Sequence, residues 1–185
     1  MTHATHQPAP AAPVRAGPAF RVLDACHHQT LEALTTLREL VVRLDGAGID
    51  STARAMAARV AHHFGSINRL HHEDEERHVF PRLADSADPE IRQAVLRLQT
   101  DHDWLEEDWM ELSPSIEAIA AGHPWYDLEV LREAVAIFCS LSEDHIALEE
   151  ALIYPEARAH LRAKEGREMG REMAARRRAA RAVRR

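Results

Sequence analysis

Glycine is scarce in this 185-residue sequence, at 7 residues, and aromatic side chains make up only 5%. Ala, Leu, Glu and Arg dominate in their place, a mixture that disfavours sheets and favours helices. Cysteine is limited to Cys26 and Cys139. Two thiols cannot build a disulfide framework, and the default compartment they suggest is a reducing cytoplasm. No apolar run reaches the roughly 18 residues that a membrane span needs. The first residues lack the basic and apolar regions of a secretory signal. Ser–His–Asp arrangements, glycine-rich phosphate loops and zinc-finger spacings are absent as well. Apolar residues at 45% and charged residues at 29% fit one ordinary globular domain rather than a disordered chain.

Histidine is what the sequence has in excess, with 13 copies. Charge is the second asymmetry. Residues 158–185 hold 11 of the 23 Lys and Arg and 3 of the 30 acids, a balance of +8, which leaves −15 on residues 1–157. The arginine-rich end reads as a solvated helix drawn to the acidic body. Nucleic acid or anionic lipid is the alternative partner, although no aromatic residue interleaves to stack on bases.

The pattern divides into a proline- and alanine-rich tail over residues 1–18, a helical domain over 19–158 and a basic helical tail over 159–185. Within the domain, four helical segments are expected. The first spans about Ala19 to Asp45 and stops at Gly46-Ala47-Gly48. The second runs from a cap at Asp50-Ser51 to Phe80-Pro81, and the third starts at Asp88-Pro89, with Ser113-Pro114 predicted to kink or break it. The fourth starts near Trp125 to Asp127 and continues past Tyr154-Pro155. Four long helices with short connections predict an all-α, up-down antiparallel four-helix bundle.

An internal repeat carries the chemistry. His71-His72-Glu73-Asp74-Glu75-Glu76-Arg77-His78-Val79-Phe80-Pro81 and His145-Ile146-Ala147-Leu148-Glu149-Glu150-Ala151-Leu152-Ile153-Tyr154-Pro155 both read His, three residues, Glu-Glu, three residues, aromatic, Pro. Residues four apart stand one above the other on a helix, so His71 with Glu75 and His145 with Glu149 each aim an imidazole and a carboxylate at one point. Rotation at about 100° per residue puts His71 on an apolar stripe with Val60, Phe64 and Ile67. His72 falls on a mixed stripe with Gly65, Asn68 and Glu76. The same construction places His145 and His27 on apolar stripes, with His28 facing solvent. His102 also falls on one, and Glu106 follows it by one turn. Tyr154 lies off the ligand stripe and is expected to pack near the bundle end. Counting residues from the helix ends brings the four histidines to one level. Four buried imidazoles and two buried carboxylates need a partner, and a metal such as iron, manganese or zinc suits both donor types.

On these segments the sequence resembles the hemerythrin-like, or HHE cation-binding, family over about residues 20–157. The resemblance implies a bundle holding two bridged non-heme iron ions. It implies imidazole ligation by His27, His71, His102 and His145, with Glu75 and Glu149 bridging or ligating. Glu106, His72, Glu76, His78 and Glu150 are further candidates, as ligands or as outer partners of ligands. Oxygen carriers of this family present a second histidine one turn along the third helix, where this sequence has Glu106. That departure turns the expected function from oxygen transport towards binding oxygen, nitric oxide or iron for sensing, scavenging or storage. The alternatives are a di-iron oxidase or peroxidase completed by Glu106, and an interaction module stapled by metal with a basic C-terminal tail.

Overall fold

The structure, a computed structural model, describes residues 17–183. Most of the proline-rich N-terminal stretch lies outside the described residues. The described residues are helical with no strand, and the helices are α1 (Pro18–Ala47), α2 (Ser51–His62), α3 (Arg69–His78), α4 (Phe80–Leu83), α5 (Pro89–Ala121), α6 (Leu128–Leu148), α7 (Tyr154–His160) and α8 (Ala163–Val183). A wide π turn, His63–Asn68, joins α2 to α3, and a second, Glu149–Ile153, joins α6 to α7. Four rods result: α1, α2 to α4, α5, and α6 to α7. They pack in a ring in which α1 touches α2, α2 touches α5, α5 touches α6 and α6 closes on α1. No helix among the described residues is long and apolar enough to cross a membrane.

Local chemistry sets the helix starts. Asp50 accepts from the Ala53 amide at 2.8 Å, Asp88 from Glu90 at 2.9 Å, and Asp127 from Glu129 at 2.9 Å, each satisfying free N–H groups of a first turn. Gly122 ends α5 in the left-handed region at φ 89°, a conformation that a side chain would strain.

Two expectations are corrected. Pro114 neither ends nor divides α5, which is continuous from Pro89 to Ala121. Pro114 is exposed, and the carbonyl its ring leaves without a donor belongs to exposed Met110, where water can serve it. The four-rod expectation is also incomplete, because α8 forms a fifth helix docked on α1. Its Met169 and Met173 are buried in the same apolar cluster as Ala19 and Phe20. Arg176 and Arg177 both reach Asp74, a buried carboxylate on α3.

The core is split. One apolar cluster contains Leu34, Phe64, Leu105 and Phe138, and the other contains Leu23, Val79, Leu98 and Ile153. On every rod a histidine stands between the two: His27 between Leu23 and Leu34, His71 between Phe64 and Val79, His102 between Leu98 and Leu105, and His145 between Phe138 and Ile153. The polar centre is therefore a layer sealed above and below by apolar packing.

Candidate metal centre

His27, His71, His102 and His145 are all buried, and Glu75 and Glu149 are 0% exposed. Their functional atoms converge. His27, His71, Glu75 and Glu149 form one group able to hold a metal ion, and Glu75, Glu149, His102 and His145 form a second. The carboxylates belong to both. Glu75 puts Oε1 3.3 Å from His71 Nε2 and Oε2 3.6 Å from His102 Nε2. Glu149 puts Oε2 3.0 Å from His27 Nε2 and Oε1 3.4 Å from His145 Nε2. Each carboxylate thus presents one oxygen to each histidine pair. Neighbouring donors on one ion at bonds of about 2.1 Å would lie roughly 3 Å apart, close to these spacings.

The second glutamate of each repeat serves the opposite half of the site. Glu150 Oε1 lies 3.1 Å from His27 Nδ1, and Glu76 Oε1 lies 3.1 Å from His102 Nδ1. Outer carboxylates of this kind fix the tautomer, so that Nε2 faces inward with its lone pair. Asp101 stands in the corresponding place for His145, 3.8 Å from Nδ1.

Electrostatics show the strain of so many polar groups in one dry layer. Burial, and then the charge of Glu149, push the Glu75 carboxyl up. Burial pushes Glu149 up too, but His145 and His27 outweigh it and hold that carboxyl well below its ordinary range. Burial alone would lower His27, yet its contacts with Glu149 and Glu75 raise it to about 10. His145 is likewise lowered by burial and raised more by Glu149 and Asp101, to about 10. Even so, both oxygens of Glu149 and Oε2 of Glu75 lack a well-formed hydrogen bond. Unsatisfied buried carboxylate oxygens are costly, and a cation between the two histidine pairs supplies what they lack. The donor set fits a metal.

The further candidates separate. His72 belongs to a group with His102 and His145, its ring stacked 3.9 Å from that of His102. Its Nε2 lies 3.1 Å from Asn68 Nδ2, and Asn68 in turn accepts from Thr30 at 3.2 Å. Glu106, by contrast, is exposed and joins neither metal group. His78 points away from the centre, with its Nε2 3.3 Å from Glu172 on α8. His28 is exposed, as its helical position predicts.

Tyr154 corrects the helical-wheel reading. It is fully buried, donates to Glu75 Oε1 and lies 3.1 Å from His27 Nε2, with its ring stacked on His27 at 4.9 Å. Burial and the charges of Glu75 and Glu149 push its hydroxyl well above the usual range, which keeps it a phenol donor. On a regular helix it would sit about 140° from Glu149. The π turn absorbs one residue, with the Tyr154 amide bonded to the Glu149 carbonyl, and leaves about 40°. His63, at the start of the other π turn, is also buried and lies 2.9 Å from Thr30 Oγ1. No periodicity rule flags such a turn. Asp101 was missed because it lies outside the repeat, and Asp74 because it falls at a spacer position that the two copies do not share.

A helical bundle with a sealed layer of imidazoles shared by two carboxylates defines a metal-binding class of protein. Comparison with known families agrees: residues 19–157 match the Hemerythrin HHE cation binding domain, and the chain belongs to that family. A relative from Haemophilus influenzae, described as an uncharacterized protein, is 29% identical over 158 residues, covering 85% of this chain and 89% of its own length.

Proposed function

We propose that the chain binds two non-heme iron ions and uses them to bind oxygen, nitric oxide or further iron for sensing, scavenging or storage. The observation that carries this reading is the division of each carboxylate, one oxygen of Glu75 and one of Glu149 to each histidine pair. His27 and His71 would hold one ion, His102 and His145 the other, with Glu75 and Glu149 bridging. Iron bound in this way supplies reversible redox change and open coordination positions for a small ligand. Manganese and zinc suit the same donors, although zinc would give no redox chemistry.

The protein's own part is positional. Glu150 and Glu76 hold the imidazoles in register, Tyr154 fixes Glu75, and the two apolar clusters exclude water from the layer. An oxidase or peroxidase completed by Glu106 is less well supported, because that carboxylate is exposed and outside both metal groups. The test is metal content per chain by mass spectrometry, with absorption spectra before and after reduction. Two irons and near-ultraviolet bands that bleach on reduction agree with the proposal. A chain that takes up no metal after anaerobic reconstitution with ferrous iron rules it out.

A further inference from the structure

His102 and His145 belong to two metal groups at once. With Glu75 and Glu149 they form one half of the centre, and with His72 they form a triad of imidazoles whose ligand atoms lie within 4.8 Å of one another. The two groups exclude each other, because one pair of histidines cannot serve both. They also differ in kind. Two imidazoles with carboxylate suit non-heme iron, whereas three imidazoles with an open position suit zinc. Raw affinity does not choose between such ions, so ligand type and geometry must. The triad is also the more accessible group. Asn68, His72 and His102 line a cleft of about 820 Å³ between the α2–α3 rod and α5, and Glu75 and Glu149 do not. An ion arriving there meets His72 and His102 before either shared carboxylate.

A directed chain of hydrogen bonds keeps His72 out of use. The Thr30 hydroxyl has one proton and gives it to Asn68 Oδ1 at 3.2 Å. In its 2.9 Å contact with His63 Nε2 the imidazole N–H therefore donates to Thr30. With Oδ1 accepting, the Asn68 amide turns Nδ2 towards His72 Nε2, 3.1 Å away, and donates to its lone pair. An imidazole that accepts at Nε2 carries its proton on Nδ1. One nitrogen of His72 is thus occupied and the other protonated, and its ring is stacked on His102 at 3.9 Å. Neither nitrogen is free to take a metal. The start of the chain is fixed, because Thr30 is buried on α1 and bonds a residue at each end of the π turn that leads into α3. From this chain we infer that Thr30 and Asn68 set the metal selectivity of the centre: by withholding His72 they suppress the three-imidazole site and leave His102 and His145 to the carboxylate-bearing one. The inference rests on the two-metal reading above.

Asn68→Leu and Thr30→Val break the chain at different links with side chains of similar shape, so one misfolded variant leaves the other to decide. Zinc and ferrous-iron affinities of metal-free wild type and variants are measured by anaerobic competition with a chelator. Cobalt(II), added in place of either metal, reports coordination through its visible band, which is intense at four-coordinate sites and weak at higher coordination. The ratio of zinc to iron affinity is expected to rise at least about tenfold in both variants, the lower end of what changes in outer partners produce, with a stronger cobalt band. Adding His72→Ala to either variant should abolish both changes, and Thr30→Ser, which keeps the donor, should match wild type. An unchanged ratio and cobalt band in the folded variants overturn the inference, as does a zinc gain that survives His72→Ala. Wild-type protein that binds neither metal removes the two-metal reading itself, which is a different failure from an unchanged ratio.

Discussion

The hydroxyl of Tyr154 donates to Oε1 of Glu75, joining residues 79 positions apart across the bundle. Glu75 is the carboxylate that burial and its neighbour Glu149 push towards the protonated form. A donor at Oε1 offsets part of that cost and fixes which oxygen faces which histidine pair.

Removing that donor leaves a buried acceptor unserved. Tyr154→Phe is expected to destabilise the metal-free protein by about 1–3 kcal/mol, measured by urea unfolding. The effect should shrink in the iron-loaded protein, where an ion would occupy the same oxygen. Equal losses in both forms would show that Tyr154 only packs.

Inner and outer groups should differ in the size of their effects. His71→Ala and His145→Ala are expected to lower iron affinity by more than about 100-fold. Glu76→Gln and Glu150→Gln should fall in the roughly 10–100-fold range of outer partners. His28→Ala should change nothing. His72→Ala is expected to retain metal, because its ring stacks on His102 and its Nε2 is engaged by Asn68. Competition with a chromogenic chelator ranks all six, and a loss in His72→Ala equal to that in His71→Ala would make His72 a ligand.

Protons and metal compete for the same nitrogens. His27 and His145 are raised to about 10 in the folded metal-free chain, against an ordinary value of 6.5. A raised folded value stabilises the fold fully below pH 6.5, and that contribution disappears as pH rises through 10. The urea midpoint of metal-free protein should therefore fall between pH 6.5 and 10 on account of this pair. Metal uptake must expel these protons, so iron affinity should rise over the same interval. Calorimetry at pH 7 in two buffers of different ionisation enthalpy should detect the released protons, and no buffer dependence would contradict the assignment.

The fifth helix is held by charge as well as by methionine. Asp74 is 1% exposed and is met by Arg176 and Arg177. Replacing both arginines by alanine leaves a buried carboxylate unpaired, at a cost of about 3–5 kcal/mol if α8 stays in place. Asp74→Asn in the same background should recover part of the loss. Thermal unfolding of the three proteins checks this, and no recovery would mean that the arginines act through packing alone.

Periodicity and spacing alone sufficed for the helical class, the caps at Asp50 and Asp88, and the six inward-facing residues of the repeat and its partners. The caps and the His71–Glu75 and His145–Glu149 pairs depend on neighbours within about one helical turn, where backbone geometry is regular. Tyr154 escaped because it follows a π turn, and one absorbed residue rotates everything beyond it. Pro114 misled because its cost depends on whether the freed carbonyl faces water, which is a property of packing. A basic helix drawn to the acidic body was legible, but its seat was not: Met169 and Met173 are too sparse a stripe to predict burial, and Asp74 reads as one more acid in an acidic run. Which histidine Tyr154 covers was likewise undecidable from the chain. Four histidines at one level are equivalent in a sequence, and only the packing of four rods puts Tyr154 against His27 and a cleft beside His102.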